Sequence, residues 1–188
     1  RQPATATAIN VVQAHMAAGE SAKATSFLDG WLKTHPDDHI ALKTLAEVQS
    51  LSGQKEAARK TYESILTAEP DDPLTLNNYA ILLQKLNDPK ATAPAERALK
   101  LVPGNPNVAD TLGWILVQQG KMDAGLRQLR DARLRSPDNR TIRFHLAYAL
   151  SKSGRKTEAR EELSAALALS PAGQTSGEIA QLKSELGL

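Results

Sequence analysis

The sequence contains no cysteine. Disulfide frameworks, thiolate metal sites and cysteine nucleophiles are thereby excluded, and the absence fits cytosol and periplasm equally well. No apolar run approaches membrane-spanning length, and no stretch reads as a signal peptide. Aromatic residues are scarce, at 4% of the chain, while Ala and Leu are abundant, as closely packed helix pairs require. Runs of Val, Ile and Thr alternating with polar residues are missing, which argues against strands. An excess of charge is lacking too: the formal net charge of +2 is too near balance to imply nucleic acid by itself. Its distribution is uneven, since residues 1–84 carry 7 basic and 10 acidic side chains and residues 121–188 carry 12 and 8. Such a mild dipole would orient a partner without identifying one. The chain starts at Arg1 rather than Met, which reads as a processed or cut-down piece of something longer.

What the sequence does contain is a period. Pro36, Pro70, Pro103, Pro137 and Pro171 stand 34, 33, 34 and 34 residues apart. Gly19, Gly53, Gly120 and Gly154 recur between them, and Asn87 stands where the missing glycine would be. A fixed period of this length is the mark of a solenoid of helix–turn–helix units. Five units follow: 5–38, 39–72, 73–105, 106–139 and 140–173. The eighth position of each is Val12, Ala46, Ala80, Gly113 or Ala147, and the twentieth is Ala24, Ala58, Ala91, Gly125 or Ala159. Small residues there let the two helices of a pair approach closely. Large residues such as Leu28, Tyr62, Leu129 and Leu163 fill the space between pairs.

At the junctions, Pro36-Asp37-Asp38, Pro70-Asp71-Asp72 and Pro137-Asp138-Asn139 combine a helix stop with a cap for the next helix. Pro103-Gly104-Asn105-Pro106 does the same work at the third. Pro89 and Pro94 predict a kinked or late-starting second helix in the third unit. Beyond Pro171 a loose stretch, 172–177, precedes a helix at about 177–187 that would cap the exposed face of the last pair. The start shows no such cap, so units upstream of Arg1 are expected in the intact protein.

This pattern resembles the tetratricopeptide repeat, in register over nearly the whole chain. The resemblance implies an all-α fold: a right-handed α-solenoid of helix–turn–helix units with a C-terminal capping helix, forming a single array over 1–188. It also implies that the first helix of each pair lines a concave face. Ile81, Trp114, Phe144 and Tyr148 would then form an apolar, aromatic strip, with Asn77, Asn78, Asp110 and His145 as polar contacts beside it. Aromatic rings in a groove suit a peptide segment or stacked sugar rings. The alternative is that Trp114 and Phe144 turn into the interface between pairs as core.

Other candidate sites fare less well. A carboxylate clamp for chaperone tails, tried residue by residue, finds Lys43 and Asn78 in place. Glu47, Asn107 and Thr111 stand where it needs Asn, Lys and Arg. His35-Pro36-Asp37-Asp38-His39 offers imidazoles and carboxylates, yet the next junction repeats Pro-Asp-Asp without histidine, so capping explains it and no metal is expected. Arg127, Arg130, Arg133, Arg135, Arg140 and Arg143 are interleaved with Asp123, Asp131 and Asp138, which reads as a solvated face rather than a nucleic-acid contact. No phosphate loop, histidine–glutamate helix pair or nucleophile elbow is present, so neither an enzyme nor a cofactor is expected.

Finer wording narrows the resemblance. Leu76-Asn77-Asn78-Tyr79-Ala80, Ala109-Asp110-Thr111-Leu112-Gly113-Trp114 and the ending Leu186-Gly187-Leu188 are similar to the C-terminal part of long tetratricopeptide lipoproteins. Those accompany the exosortase, or PEP-CTERM, protein-sorting and exopolysaccharide system of bacteria. The resemblance implies a cell-envelope scaffold, tethered by a lipid anchor upstream, that binds a protein or peptide partner. A module that handles a secreted polysaccharide is the alternative, and a cytosolic co-chaperone is a third option disfavoured by the failed clamp.

Overall fold

One residue with a left-handed backbone sets the turn inside each repeat. Gly19, Gly53, Gly120 and Gly154 have φ between 74° and 77°, and Asn87, at 54°, is the only non-glycine among the described residues with positive φ. Glycine adopts this region without a Cβ penalty, and asparagine tolerates it better than most. The next amide reaches back to the carbonyl five residues earlier: Glu20 to His15, Gln54 to Gln49, Asp88 to Leu83, Lys121 to Leu116, and Arg155 to Leu150, all at 2.8–2.9 Å. That bond satisfies a carbonyl the ending helix would otherwise leave unpaired.

A computed structural model describes residues 3–169 and 177–188. Pro171 and residues 172–176, expected as the last stop and loose stretch, lie outside the described residues. Among those described there are eleven α-helices and no strand. They are α1 (Pro3–Ala17), α2 (Ser21–Thr34), α3 (His39–Leu51), α4 (Lys55–Ala68), α5 (Pro73–Lys85) and α6 (Thr92–Leu101). Then come α7 (Pro106–Gln118), α8 (Met122–Arg135), α9 (Arg140–Lys152), α10 (Lys156–Ala168) and α11 (Gly177–Leu186). The second helix of the third pair does start late: a 3₁₀ turn, Pro89–Ala91, is capped by Asp88 and leads into α6. Pro94 then falls in the first α-helical turn, where its missing N–H costs no bond.

The chain groups into two compact units, Arg1–Pro94 and Ala95–Leu188. In the first, Leu28 and Val12 pack with Leu45 and Val48 across α1, α2 and α3, and Tyr62, Ile65 and Leu82 continue the core across α4 and α5. In the second, α7, α8, α9 and α10 enclose Val117, Leu129, Phe144, Leu150 and Leu163, and α11 lays Ile179, Leu182 and Leu186 against the same cluster. The capping helix therefore buries its apolar stripe on the last pair.

Each inner turn serves a close helix crossing. Ala46 and Ala58, like Ala147 and Ala159, are fully buried at their pair's contact. The α7–α8 pair is tighter still. A methyl on Gly125 would stand 2.8 Å from the Gly113 carbonyl oxygen and 2.6 Å from Val117 Cγ2, and one on Gly113 would stand 3.0 Å from the Leu129 amide.

The caps work as expected, with the Asp or Asn side chain accepting from the new helix. Asp38 accepts from the Ala41 amide, Asp72 from Thr75, Asn105 from Asn107 and Val108, and Asn139 from Thr141 and Ile142. Two do more. Asp38 also accepts from the Trp31 indole and the Thr5 hydroxyl, both at 2.8 Å, joining α1, α2 and α3. Asp72 pairs with Lys43 of α3 at 3.0 Å. Burial raises the Asp72 carboxyl, but the Thr75 hydroxyl, the Lys43 ammonium and the Thr75 amide together hold it below the usual carboxylate range. Asp38 is also lowered, its donors outweighing the effect of burial.

Two outcomes are expected. Gly125→Ala should destabilise the chain by about 1–3 kcal/mol through overpacking. Gly30→Ala, on an exposed stretch of α2 with nothing within 4 Å, should stabilise it by about 0.5–1 kcal/mol. Urea midpoints of the two variants check both. A carboxyl lowered on folding contributes stability above its unfolded pKa and loses it as pH falls through the folded value. Stability should therefore decline as the pH drops below about 4, and Asp72→Asn should make that decline shallower in thermal melts from pH 7 to pH 2.

Candidate functional site

Helical spacing puts Asp110, Trp114 and Gln118 on one face of α7, and Phe144, Tyr148 and Lys152 on one face of α9. The second unit brings these faces together. Trp114 is the centre: its ring stacks on His145 at 4.2 Å and 15°, meets Tyr148 edge-on at 5.1 Å and 70°, and tilts against Phe144 at 6.4 Å. Edge-to-face and offset geometries at these distances are favourable for rings with a negative face and positive edge. Asp110 fixes the group from behind, its two carboxylate oxygens each 2.9 Å from His145 Nδ1.

The expected strip thus divides by depth. Trp114 and Tyr148 are half-buried and reach solvent, while Phe144 is 6% exposed and belongs mainly to the core. Asp110, at 7% exposed, offers its carboxylate to His145 rather than to the surface. Asn77, Asn78 and Ile81 lie on α5 in the first unit. There Asn77 is buried, with Oδ1 lacking a hydrogen-bond partner among the described residues, and Asn78 and Ile81 are half-buried.

Beside Trp114 and Tyr148 is a pocket of about 200 Å³. One wall is Trp114, Tyr148 and the edge of Phe144; the other is α11, with Glu178, Gln181 and Glu185. Lys152 stands at the rim, its Nζ 5.3 Å from the Tyr148 ring centroid and 3.4 Å from Glu185. Gln181, first, and Lys152 hold the Glu185 carboxyl below its ordinary range. Sequence reasoning missed Lys152 and the α11 residues as site members. The signals were present: Lys152 continues the Phe144–Tyr148 stripe by one turn, and Glu178, Gln181 and Glu185 recur at helical spacing.

The other candidate groups are committed elsewhere. His35 stacks on Trp31 at 4.0 Å, His39 pairs with Glu69, and Asp38 is saturated by its donors. No cluster of three metal-binding side chains exists among the described residues. Lys43, a match to the chaperone clamp, is held by Glu69 at 2.6 Å and Asp72 at 3.0 Å. The arginine stretch meets carboxylates, chiefly from α10: Arg130 with Glu158, and Arg133 and Arg143 with Glu162. Arg135 pairs with Asp131 on its own helix. These partners are largely not the interleaved aspartates of the sequence reading, because Glu158 and Glu162 of α10 reach arginines of both α8 and α9.

Models of the tetratricopeptide repeat family match residues 15–86 and 111–173. With the helix pairs, glycine turns and small-residue crossings, they make the class plain: the chain belongs to the tetratricopeptide repeat proteins. A TPR repeat-containing protein of Pseudomonas aeruginosa is 29% identical over 119 residues, covering 62% of this chain and 20% of that protein. Cellulose synthase operon protein C of Pseudomonas fluorescens is 28% identical over 153 residues, covering 76% of this chain and 12% of that protein. The chain therefore spans a fifth or less of the length of those two relatives. The crystal structure of PilW, a widely conserved type IV pilus biogenesis factor, has a TM-score of 0.85 at 18% identity, covering 100% of this chain and 86% of that one. At that identity the likeness concerns the fold alone. None of these matches is to a catalytic family.

His145→Ala should leave the Asp110 carboxylate buried without its partner. A loss of about 1–3 kcal/mol is expected, measured by urea unfolding, and additional replacement of Asp110 by Leu should recover part of it.

Proposed function

We propose that this chain is a non-enzymatic interaction scaffold of a bacterial cell-envelope system for protein sorting and exopolysaccharide export. It holds a peptide segment of its partner against the face of α7 and α9. The observation that carries the reading is the Trp114–Tyr148 pair, half-exposed and rigidly seated beside a pocket. In the repeat family this face lines the concave surface. Large aromatic rings with one side fixed and the other open are common anchors in polypeptide recognition.

Two observations support the placement in the envelope. The Asn77-Asn78-Tyr79-Ala80 and Asp110-Thr111-Leu112-Gly113-Trp114 phrases resemble the lipoproteins of the exosortase system, and a relative carries a cellulose synthase operon name. An upstream lipid anchor is part of this proposal. The second reading, contact with a secreted polysaccharide, is favoured by the same relative and by rings of the kind that stack on sugars.

The test is affinity capture from the bacterium's envelope extract, with the chain and its Trp114→Ala/Tyr148→Ala variant as baits and both protein and sugar analysed. We expect a polypeptide retained by the wild type and lost by the variant, with helicity unchanged in circular dichroism. Polysaccharide retained alone, with binding that weakens steeply in salt, would move the function to the second reading. Identical behaviour of the two baits would remove the α7–α9 face as the site.

A further inference from the structure

We propose that the pocket between Trp114, Tyr148 and α11 takes a lysine or arginine side chain of the bound peptide. This specificity rests on the peptide reading above. Three observations lead to it. First, the pocket's size: about 200 Å³ is below the roughly 300–1,000 Å³ typical of sites for whole small molecules, and is on the scale of a single side chain.

Second, the charge on its walls is unbalanced. Glu178 and Glu185 face Lys152 alone among the charged lining residues. Lys152 and Glu185 pair with each other, and Glu178 has no ion-pair partner among the described residues. The remaining local charge is negative, although residues 121–188 as a whole are basic. Three of the arginines that make them so, Arg130, Arg133 and Arg143, are engaged by the glutamates of α10, and no arginine lines the pocket.

Third, the protein already seats a cation of its own here. Lys152 Nζ sits between the Tyr148 ring and the Glu185 carboxylate, which is the arrangement a cation seeks: a ring's negative face on one side and an anion on the other. Trp114 and Glu178 line the same pocket and bring a second ring and a second carboxylate to it. A peptide cation would enter there, its alkyl stem along Trp114 and its charge toward Glu178 and Glu185. Lys152 is then an internal competitor for the same carboxylates.

The test is selection of a phage-displayed random heptapeptide library on the immobilised chain, followed by calorimetry with synthetic peptides. We expect selected sequences to carry a lysine or arginine whose replacement by norleucine weakens binding on the order of 3- to 30-fold. Glu178→Gln/Glu185→Gln, both at exposed positions, should weaken the parent peptide similarly and leave the norleucine peptide unaffected. Lys152→Met should strengthen it. Trp114-dependent binding of peptides indifferent to norleucine replacement would overturn the cation site and leave the peptide reading standing. Failure to select any peptide, or selection of peptides that bind the Trp114→Ala variant equally, would overturn both.

Discussion

The contact between two small residues at the helix-pair crossings, with Val12 the one larger member of the series, governs the rest of this structure. Where Ala46 meets Ala58 and Ala147 meets Ala159, a methyl pair sets the separation of the two helices. Where Gly113 meets Gly125, backbone approaches backbone, with no room for even one added methyl. That closeness permits a three-residue inner turn, and the turn in turn demands a left-handed residue. The large side chains are then left to fill the gaps between pairs. Ridge-into-groove packing converts a choice of volume at two positions into the geometry of the repeat.

Why the fold was legible in the sequence follows from this. The five crossings, five turns and four described junctions each require a particular residue type for a local reason, so the requirement recurs in print at a fixed interval. Asn87 illustrates the strength of the signal: its place in the series alone marked it as a turn residue, and its backbone is left-handed. The late start of α6 was legible too, since Pro89 and Pro94 can be accommodated only within a first turn. The division into units Arg1–Pro94 and Ala95–Leu188 was not, because the boundary lies inside α6, which has no break in its own pattern.

The candidate site was legible only in part. Repeat position led to Trp114, Tyr148, His145 and Asp110 but could not tell which would face solvent. Depth is decided by contacts between elements that sequence spacing does not relate. Asp110 and His145 lie 35 residues apart, nearly one period, and become a pair only when α7 and α9 lie side by side. The α11 carboxylates were hidden for a different reason. That helix stands outside the repeat, so its polar face had no register against which to be read.

The aspartate behind His145 has a consequence for how strongly a modest surface could bind. Ordering a free tryptophan or histidine at an interface consumes part of the binding free energy as lost rotamer freedom. Here that ordering takes place on folding. Asp110 holds the imidazole, the imidazole lies flat against the indole, and the tyrosine edge closes the third side. A ligand arriving at Trp114 meets a ring whose orientation is already settled, so contact with it translates into affinity with little entropic loss. The buried carboxylate, bonded to His145 and turned from the surface, would thus determine how much a small contact at Trp114 is worth.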